Sequence, residues 1–459
     1  MSAIDGFVIA PKPVTHFGLG AVEKLPGVVR ATGADHVLMV TDAALAATPV
    51  IAQVTAVLAA AGLAVRVFSG VHPNPTTEDV AAGAAAAAAV AASAAAVAEA
   101  ALVAATLKPS APLAAASAPS APAAPSPPVS STASVSPAAS VPAVVSAVPS
   151  PFAGARIALV AVGGGSPIDA AKAIAIAAVN PERGRDLDYR REFAVPGLPI
   201  VAVPTTAGTG AETNAFGVVT DPATHRKFYV GHASTMPAAA ILDPALTVSL
   251  PRPVTAATGM DALTHALESY LSLHPNQWSD GIALQAIRMI AANLPLACDD
   301  GADLAARSQM LLAAHMAGVA MANTGLGICH AIGHSLGGRW NITHGVALSM
   351  LLPDVLRFNL AVRTARLADI AFALGVGDTH SGADRNAAAA IEAVSGLRDR
   401  VGLTAVLADF GITDADFAQI AADALDDEVL ANTPRPPTRA DIDAILSARS
   451  AFRSPPDAS

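Results

Sequence analysis

The sequence predicts an α/β half built on a parallel sheet, followed by an all-α half. Up to about Leu250, short aliphatic runs alternate with alanine-rich helical stretches. Beyond that point, 251–295, 303–339 and 360–450 carry helical periodicity with few strand-like runs. The residues suited to chemistry divide the same way. Two glycine-containing loops lie in the first half, and an Asp/His constellation lies in the second. At 459 residues the chain is long enough for two domains. They are expected at 1–250 and 251–459, with a site between them.

The elements of the first half follow in order. His36 to Val40, H-V-L-M-V, reads as a buried strand ending at Thr41-Asp42. Ala43 to Ala61 reads as a helix, and Ala64 to Phe68 as a second strand. The turn P-N-P-T, Pro73 to Thr76, precedes a long alanine-rich helix with Thr76 or Thr77 as its cap. Composition then breaks. Pro109 to Ala155 holds no charged residue, and eleven prolines fall between Pro109 and Pro151. Prolines at that density forbid a continuous helix or a central strand. An Ala/Ser/Pro-rich surface insertion at about 108–153 is expected. It interrupts a domain, because strand-like Arg156 to Val162 resumes the α/β pattern at once.

That strand runs into G-G-G-S-P-I-D, with Pro167 suited to the first helical turn. Strand, glycine turn, then helix sets backbone N–H groups and a helix N-terminus against a phosphate. The motif is neither G-x-G-x-x-G nor a Walker A loop, and alone it is weak. The next strand, Leu198 to Val203, ends in P-T-T-A-G-T-G-A-E-T. Thr205, Thr206 and Thr209 offer hydroxyls there, and Gly208 and Gly210 allow close approach. Two such loops after successive buried strands favour a Rossmann-like dinucleotide site.

In the second half, Asp261 and His265 stand in G-M-D-A-L-T-H-A-L-E. His330, His334 and His344 stand in C-H-A-I-G-H-S-L-G-G-R-W-N-I-T-H-G. Both i,i+4 pairs share a helix face. One carboxylate with three or four imidazoles suits a divalent transition metal, and ligand chemistry alone accepts Fe, Zn or Ni. Cys329, beside His330, reads as a small buried residue on the opposite helix face.

Composition excludes several classes. Charged residues make up 14%, and the formal net charge is −10 with no basic cluster, so nucleic acid is not an expected partner. Cys298 and Cys329 are the only cysteines, which suits a reducing cytoplasm. The N-terminus lacks a basic region followed by a long apolar core, so no secretory signal is expected. Val80 to Ala98 is uncharged but mostly alanine, a weak membrane inserter and a strong helix former. It reads as a helix of a soluble fold, and no membrane partner is expected.

These motifs resemble the iron-containing (group III) alcohol dehydrogenases, which share their fold with glycerol dehydrogenase and dehydroquinate synthase. The resemblance runs through F-G-L-G-A, V-T-D, P-N-P-T, G-G-G-S-P-I-D, P-T-T-A-G-T-G-A-E-T, D-P-A-L-T and the histidine motif. It omits only the insertion. It implies a dehydroquinate synthase-like architecture, NAD as cofactor, and Fe2+ as metal with Zn2+ as a substitute. Asp261, His265, His330 and His344 match the family's metal ligands, and His334 its active-site histidine. Gly164, Gly165, Ser166 and Asp169 match the pyrophosphate loop. Thr205, Thr206, Thr209, Lys227 and Leu246 match the nicotinamide and ribose side, Asn74 the adenosine-facing loop, and Asp42 the acceptor of the adenosine ribose hydroxyls.

The implied reaction is reversible hydride transfer between a small alcohol and its aldehyde or ketone, with the metal polarising the oxygen. His334 then relays the released proton or orients a neighbour. A hydroxyacid–oxoacid transhydrogenase is the alternative on the same fold. A dehydroquinate synthase-like lyase needs several cationic side chains, and the histidine region offers only Arg339. A homo-oligomer, a dimer first of all, is the expected assembly.

Overall fold

The computed structural model describes residues 9, 12–106, 152, 156–183, 185–224 and 226–450. The first half contains β1 (Val14–Phe17), α1 (Leu25–Ala31), β2 (His36–Asp42), α2 (Ala43–Ala46), α3 (Pro49–Ala60), β3 (Ala64–Val71), α4 (Thr77–Thr106), β4 (Ile157–Gly163) and α5 (Gly165–Val179). It closes with β5 (Ile200–Pro204), β6 (Phe216–Asp221), β7 (Arg226–Gly231) and β8 (Ala239–Leu242). The second half contains α6 (Arg252–Leu271), α7 (Gln277–Asp299), α8 (Leu304–Thr324), α9 (Ile328–Trp340), α10 (His344–Ala373), α11 (Ala383–Arg400), α12 (Phe417–Leu425) and α13 (Arg439–Ser447).

Six strands form one parallel sheet in the order β1-β8-β5-β4-β2-β3. Alternate residues of the central strands feed opposite layers. Leu38, Val40, Leu159 and Ala161 pack with α4 and α5, whereas Val37, Met39, Val160 and Val162 pack with α1 and α3. A sheet covered on both faces needs near-continuous apolar strands, which is what the sequence of β2, β4 and β5 supplies. Because every strand runs the same way, Asp42, Gly163 and Pro204 all end on one edge. Val40 lies beside Ala161, and Gly163 beside Pro204. The loops that follow therefore share the carboxyl edge, where ligands of open parallel sheets bind.

Several expectations need correction. The single helix over 43–61 is two, α2 and α3. Asp42 caps the first through a 2.8 Å bond from the Leu45 N–H. Pro49 opens the second because its missing N–H is harmless there. β3 continues past Phe68 to Val71. β1, the β6–β7 hairpin and β8 lack a distinctive pattern and were not foreseen. Helix also covers 344–359, outside the periodic ranges. Thr76 does cap α4: its Oγ1 accepts from the Asp79 N–H while Asp79 accepts from the Thr76 N–H. The insertion expected at about 108–153 lies, apart from Phe152, outside the described residues.

By length and composition alone, α4 through Ala96, α7 and α10 could each cross a membrane. All three have partners within the fold. Val80, Ala87, Val90 and Ala91 of α4 join the sheet's core. α7 and α10 contribute Ile287, Ile290, Leu348 and Leu352 to the core of the helical half. α6 lies at the centre of that half and is buried from Thr255 to Leu271 apart from Thr258. Gly345 lets α10 approach it closely, since a Cβ there would stand 2.1 Å from the Ala257 carbonyl oxygen. The two halves meet at Gly210 and Gly318, where an added side chain on either would strike the other's backbone.

Candidate metal centre and cofactor cleft

α6 holds Asp261 and His265 one turn apart. α9 holds His330 and His334 in the same relation, and His344 is the first residue of α10. Asp261 Oδ1 lies 3.4 Å from His265 Nε2, 3.7 Å from His344 Nε2 and 4.0 Å from His330 Nε2. Ligands about 2.1 Å from one tetrahedral ion stand roughly 3.4 Å apart, so this spacing accepts an ion. Asp261 Oδ1 and His330 Nε2 are buried without a hydrogen-bond partner. Buried polar atoms are ordinarily paired, so a cation fits what these atoms lack. Burial raises the Asp261 carboxyl pKa, and a cation would oppose that. Burial and the neighbouring imidazoles hold His330 and His344 well below the usual histidine range, which leaves them neutral as ligands require.

A second carboxylate orders this group. Glu268 Oε2 accepts from His330 Nδ1 at 2.5 Å, which leaves Nε2 free to face Asp261. Glu268 also accepts the Gly327 and Cys329 N–H groups, at 3.0 and 2.8 Å, and so fastens the start of α9. Burial pushes its carboxyl pKa up to about 7. Sequence reasoning assigned Glu268 no role, although the signal was present. Asp261, His265 and Glu268 are spaced four and three apart, on one face of α6.

His334 stacks on His344, with ring centroids 5.6 Å apart, and its Nδ1 lies 2.7 Å from Asp427 Oδ2. Nothing in the sequence links Asp427 to this histidine. Cys329 is fully buried with Sγ against the Leu348 carbonyl, as a structural thiol would be.

A cavity of about 820 Å³ joins these histidines to the sheet's carboxyl edge. Asn74, Gly165, Ser166, Asp169, Thr209, Lys227, Met236, Met321, Leu326 and Val429 also line it. α5 starts at this cavity without a side-chain cap on Gly164, so its first N–H groups are open to an anion. Cβ atoms on Gly164 and Gly165 would come within 3.2 and 2.9 Å of Thr206 and Thr209, so the two loops press together. The buried hydroxyls of Thr41 and Thr206 have no partner. Open helical N–H groups and free hydroxyls on one edge suit a pyrophosphate and its sugars.

Not every expected residue faces this space. Leu246 is 1% exposed and packs in the sheet's core. Thr205 is buried, with its N–H on the Gly163 carbonyl. Asp169 receives the Val218 N–H and lies 3.6 Å from the fully buried Lys172. Asn74, in a left-handed conformation at φ 55°, accepts from Lys227 Nζ at 2.9 Å and donates to Asn341. That places it beside the histidine side of the cleft. Burial lowers the Lys227 pKa to about 8. Asp42 stands at the end of β2, with one oxygen committed to α2.

Fold and site together fit a metal-dependent enzyme with a cleft suited to a nucleotide. The iron-containing alcohol dehydrogenase profile matches 12–98 and 131–244, and that of the Fe-containing alcohol dehydrogenase C-terminal region matches 255–450. The unmatched 99–130 falls largely within the expected insertion. A probable alcohol dehydrogenase, EutG, of Escherichia coli (strain K12) is 46% identical over 60% of this chain and 69% of its own length. The lactaldehyde reductase of the same organism is 33% identical over 93% and 95%. A crystal structure of a 1,3-propanediol oxidoreductase superposes with a TM-score of 0.79 at 32% identity, covering 97% of this chain and 100% of that one. The chain belongs to the iron-containing alcohol dehydrogenase family. It is accordingly an oxidoreductase of the alcohol dehydrogenase class.

Proposed function

We propose that the enzyme acts on small, uncharged alcohols, with Asp261, His265, His330 and His344 holding Fe2+ and His334 handling the hydroxyl proton. The observation that carries this reading is the convergence of Asp261 Oδ1 with three histidine Nε2 atoms in the cavity that the glycine loops border. When bound, iron supplies Lewis acidity at the substrate oxygen and NAD accepts the hydride. The start of α5 and the threonine loop hold the cofactor. Met236, Met321, Leu326 and Val429 offer an apolar wall that excludes water and suits a short carbon chain. Lys227, the one cationic side chain lining this cavity among the described residues, is already engaged by Asn74. That favours an uncharged substrate over the hydroxyacid of a transhydrogenase.

Asp42 repels a 2′-phosphate in this arrangement, so NAD is preferred over NADP, and Asp42→Gly narrows the preference. The assembly is a homodimer. Among the described residues β1 pairs only with β8, and its free edge carries the exposed side chains of Val14 and Phe17, with Leu19 just beyond. Two buried, unpaired cysteines suit a reducing cytoplasm.

The test combines metal analysis of anaerobically purified protein with NADH formation on a panel of short alcohols. Stoichiometric iron and turnover with NAD are expected. Turnover of a hydroxyacid–oxoacid pair without added NAD would favour the transhydrogenase.

A further inference from the structure

Behind His334 lies a second chamber of about 950 Å³, polar where the first is largely apolar. Arg185, Asp188, Ser335, Arg339, Asp423, Asp426 and Asp427 are among its walls. The two spaces share Tyr189, Val218, Lys227, Tyr229 and His334. The His334 ring is thus a partition, with the metal-ligand histidines on one side and Asp427 on the other.

Asp427 is held from several directions. Its Oδ2 faces His334 Nδ1 at 2.7 Å. Its Oδ1 accepts the Tyr229 hydroxyl at 3.3 Å and the Val429 N–H at 3.1 Å. The carboxylate is 13% exposed and His334 14%. Burial is the largest single effect and opposes its charge, but the interactions with His334 and the bonds from the Val429 N–H and the Tyr229 hydroxyl together keep its pKa below the usual carboxylate range. Burial raises the Tyr229 pKa, so its hydroxyl remains a donor. An ionised carboxylate only accepts, so His334 must carry its proton on Nδ1. Nε2 is then the basic nitrogen, and it belongs to a ring stacked on His344 at 5.6 Å.

We propose that Asp427 is a positioning residue for the proton transfer, fixing the His334 tautomer and ring orientation so that Nε2 takes the hydroxyl proton. This rests on the reading of His334 given above. In the oxidation the alcohol's O–H bond breaks and its proton bonds to Nε2. With NAD in the cleft to accept the hydride from the adjacent carbon, His334 would become a cation beside the Asp427 carboxylate. The proton is returned to water when the ring reverts. Tyr229 and the Val429 N–H keep the carboxylate from turning away.

Asp427→Asn separates this role from a merely structural one. Its carboxamide oxygen still serves Val429 and Tyr229, but its NH2 group meets Nδ1 as a donor. That forces the proton onto Nε2 and removes the base. The experiment measures kcat, KM, iron content, NADH affinity and Tm for the parent, Asp427→Asn, and Asp427→Ala with and without added formate. The expected result is a kcat about 10²–10⁴-fold lower in Asp427→Asn, with iron, NADH affinity and Tm near the parent's. Partial recovery of Asp427→Ala by formate is expected too. A kcat in Asp427→Asn within about threefold of the parent's would overturn the assignment, as would a loss that tracks lost iron or lowered Tm. A parent that forms no NADH from any alcohol would instead defeat the functional reading on which this rests.

Discussion

His344 and His334 lie face to face, yet their environments differ. His344 directs Nε2 toward Asp261, whereas His334 gives Nδ1 to Asp427. His344→Ala should therefore lower iron content and activity together. His334→Ala should keep its iron and lose roughly 10²–10⁴ in kcat. Metal analysis beside steady-state kinetics distinguishes them, and equal iron in both variants would remove His344 from the ligand set. Lys227 yields a pH prediction. Its pKa is about 8 in the fold against an ordinary 10.5. Between those values the unfolded chain binds more protons than the folded one, so stability rises with pH through that window. Below about pH 8 the buried ammonium destabilises the fold. Lys227→Met should accordingly raise the Tm of the cofactor-free protein at pH 7, with the gain shrinking by pH 10. A gain that grows with pH would contradict the assignment.

Among the elements, the start of α10 sets the position of His344. Gly345 follows it at the crossing with α6, where no room exists for a methyl group. Gly345→Ala should push α10 off Ala257 and cost about 1–3 kcal/mol of stability through overpacking. It should also weaken iron binding, because His344 moves with the helix. Thermal melts and metal titration test both effects, and a variant with parent-like melting and iron affinity would show that α10 has slack at this crossing. The start of α9 depends on Glu268 in the same way. Gly327 leaves space for that carboxylate, since a Cβ there would sit 3.0 Å from Oε1. His330 therefore inherits its orientation from a residue on another helix.

At the scale of the whole molecule, the site lies where the sheet half meets the helical half, whose core also takes in Ala207, Ala240 and Leu242. The glycine-containing loops follow strands of the sheet, and the histidines lie on helices. Pro109 to Pro151 enters between α4 and β4, which join the same core on either side of it. Its lack of charge and its eleven prolines argue that catalysis does not need it. Loop-closure cost grows slowly with length, so replacing this segment with a short Gly/Ser linker should leave iron content, NAD binding and kcat close to the parent's. Loss of iron-loaded protein on replacement would show that the segment supports the fold.

Local chemistry made much of this protein legible in its sequence. Apolar runs specified β2, β4 and β5, the P-N-P-T turn specified the start of α4, and i,i+4 spacing put Asp261 with His265 and His330 with His334. Those signals are local because strand burial, helix capping and helix periodicity act within a few residues. Weakly patterned pieces stayed hidden. β1 and β8 are four residues each, and the β6–β7 hairpin is half-buried. The division of 43–61 at Pro49 was local too, but propensity favoured reading through it. What only the tertiary structure decided is which distant groups meet. Glu268 reaches His330 across 62 residues and Asp427 reaches His334 across 93, while Asn74 turns to Lys227 instead of remaining with its own loop. Hydrogen-bond partners at such range are chosen by how helices cross and strands order, and nothing in the neighbouring sequence records that choice.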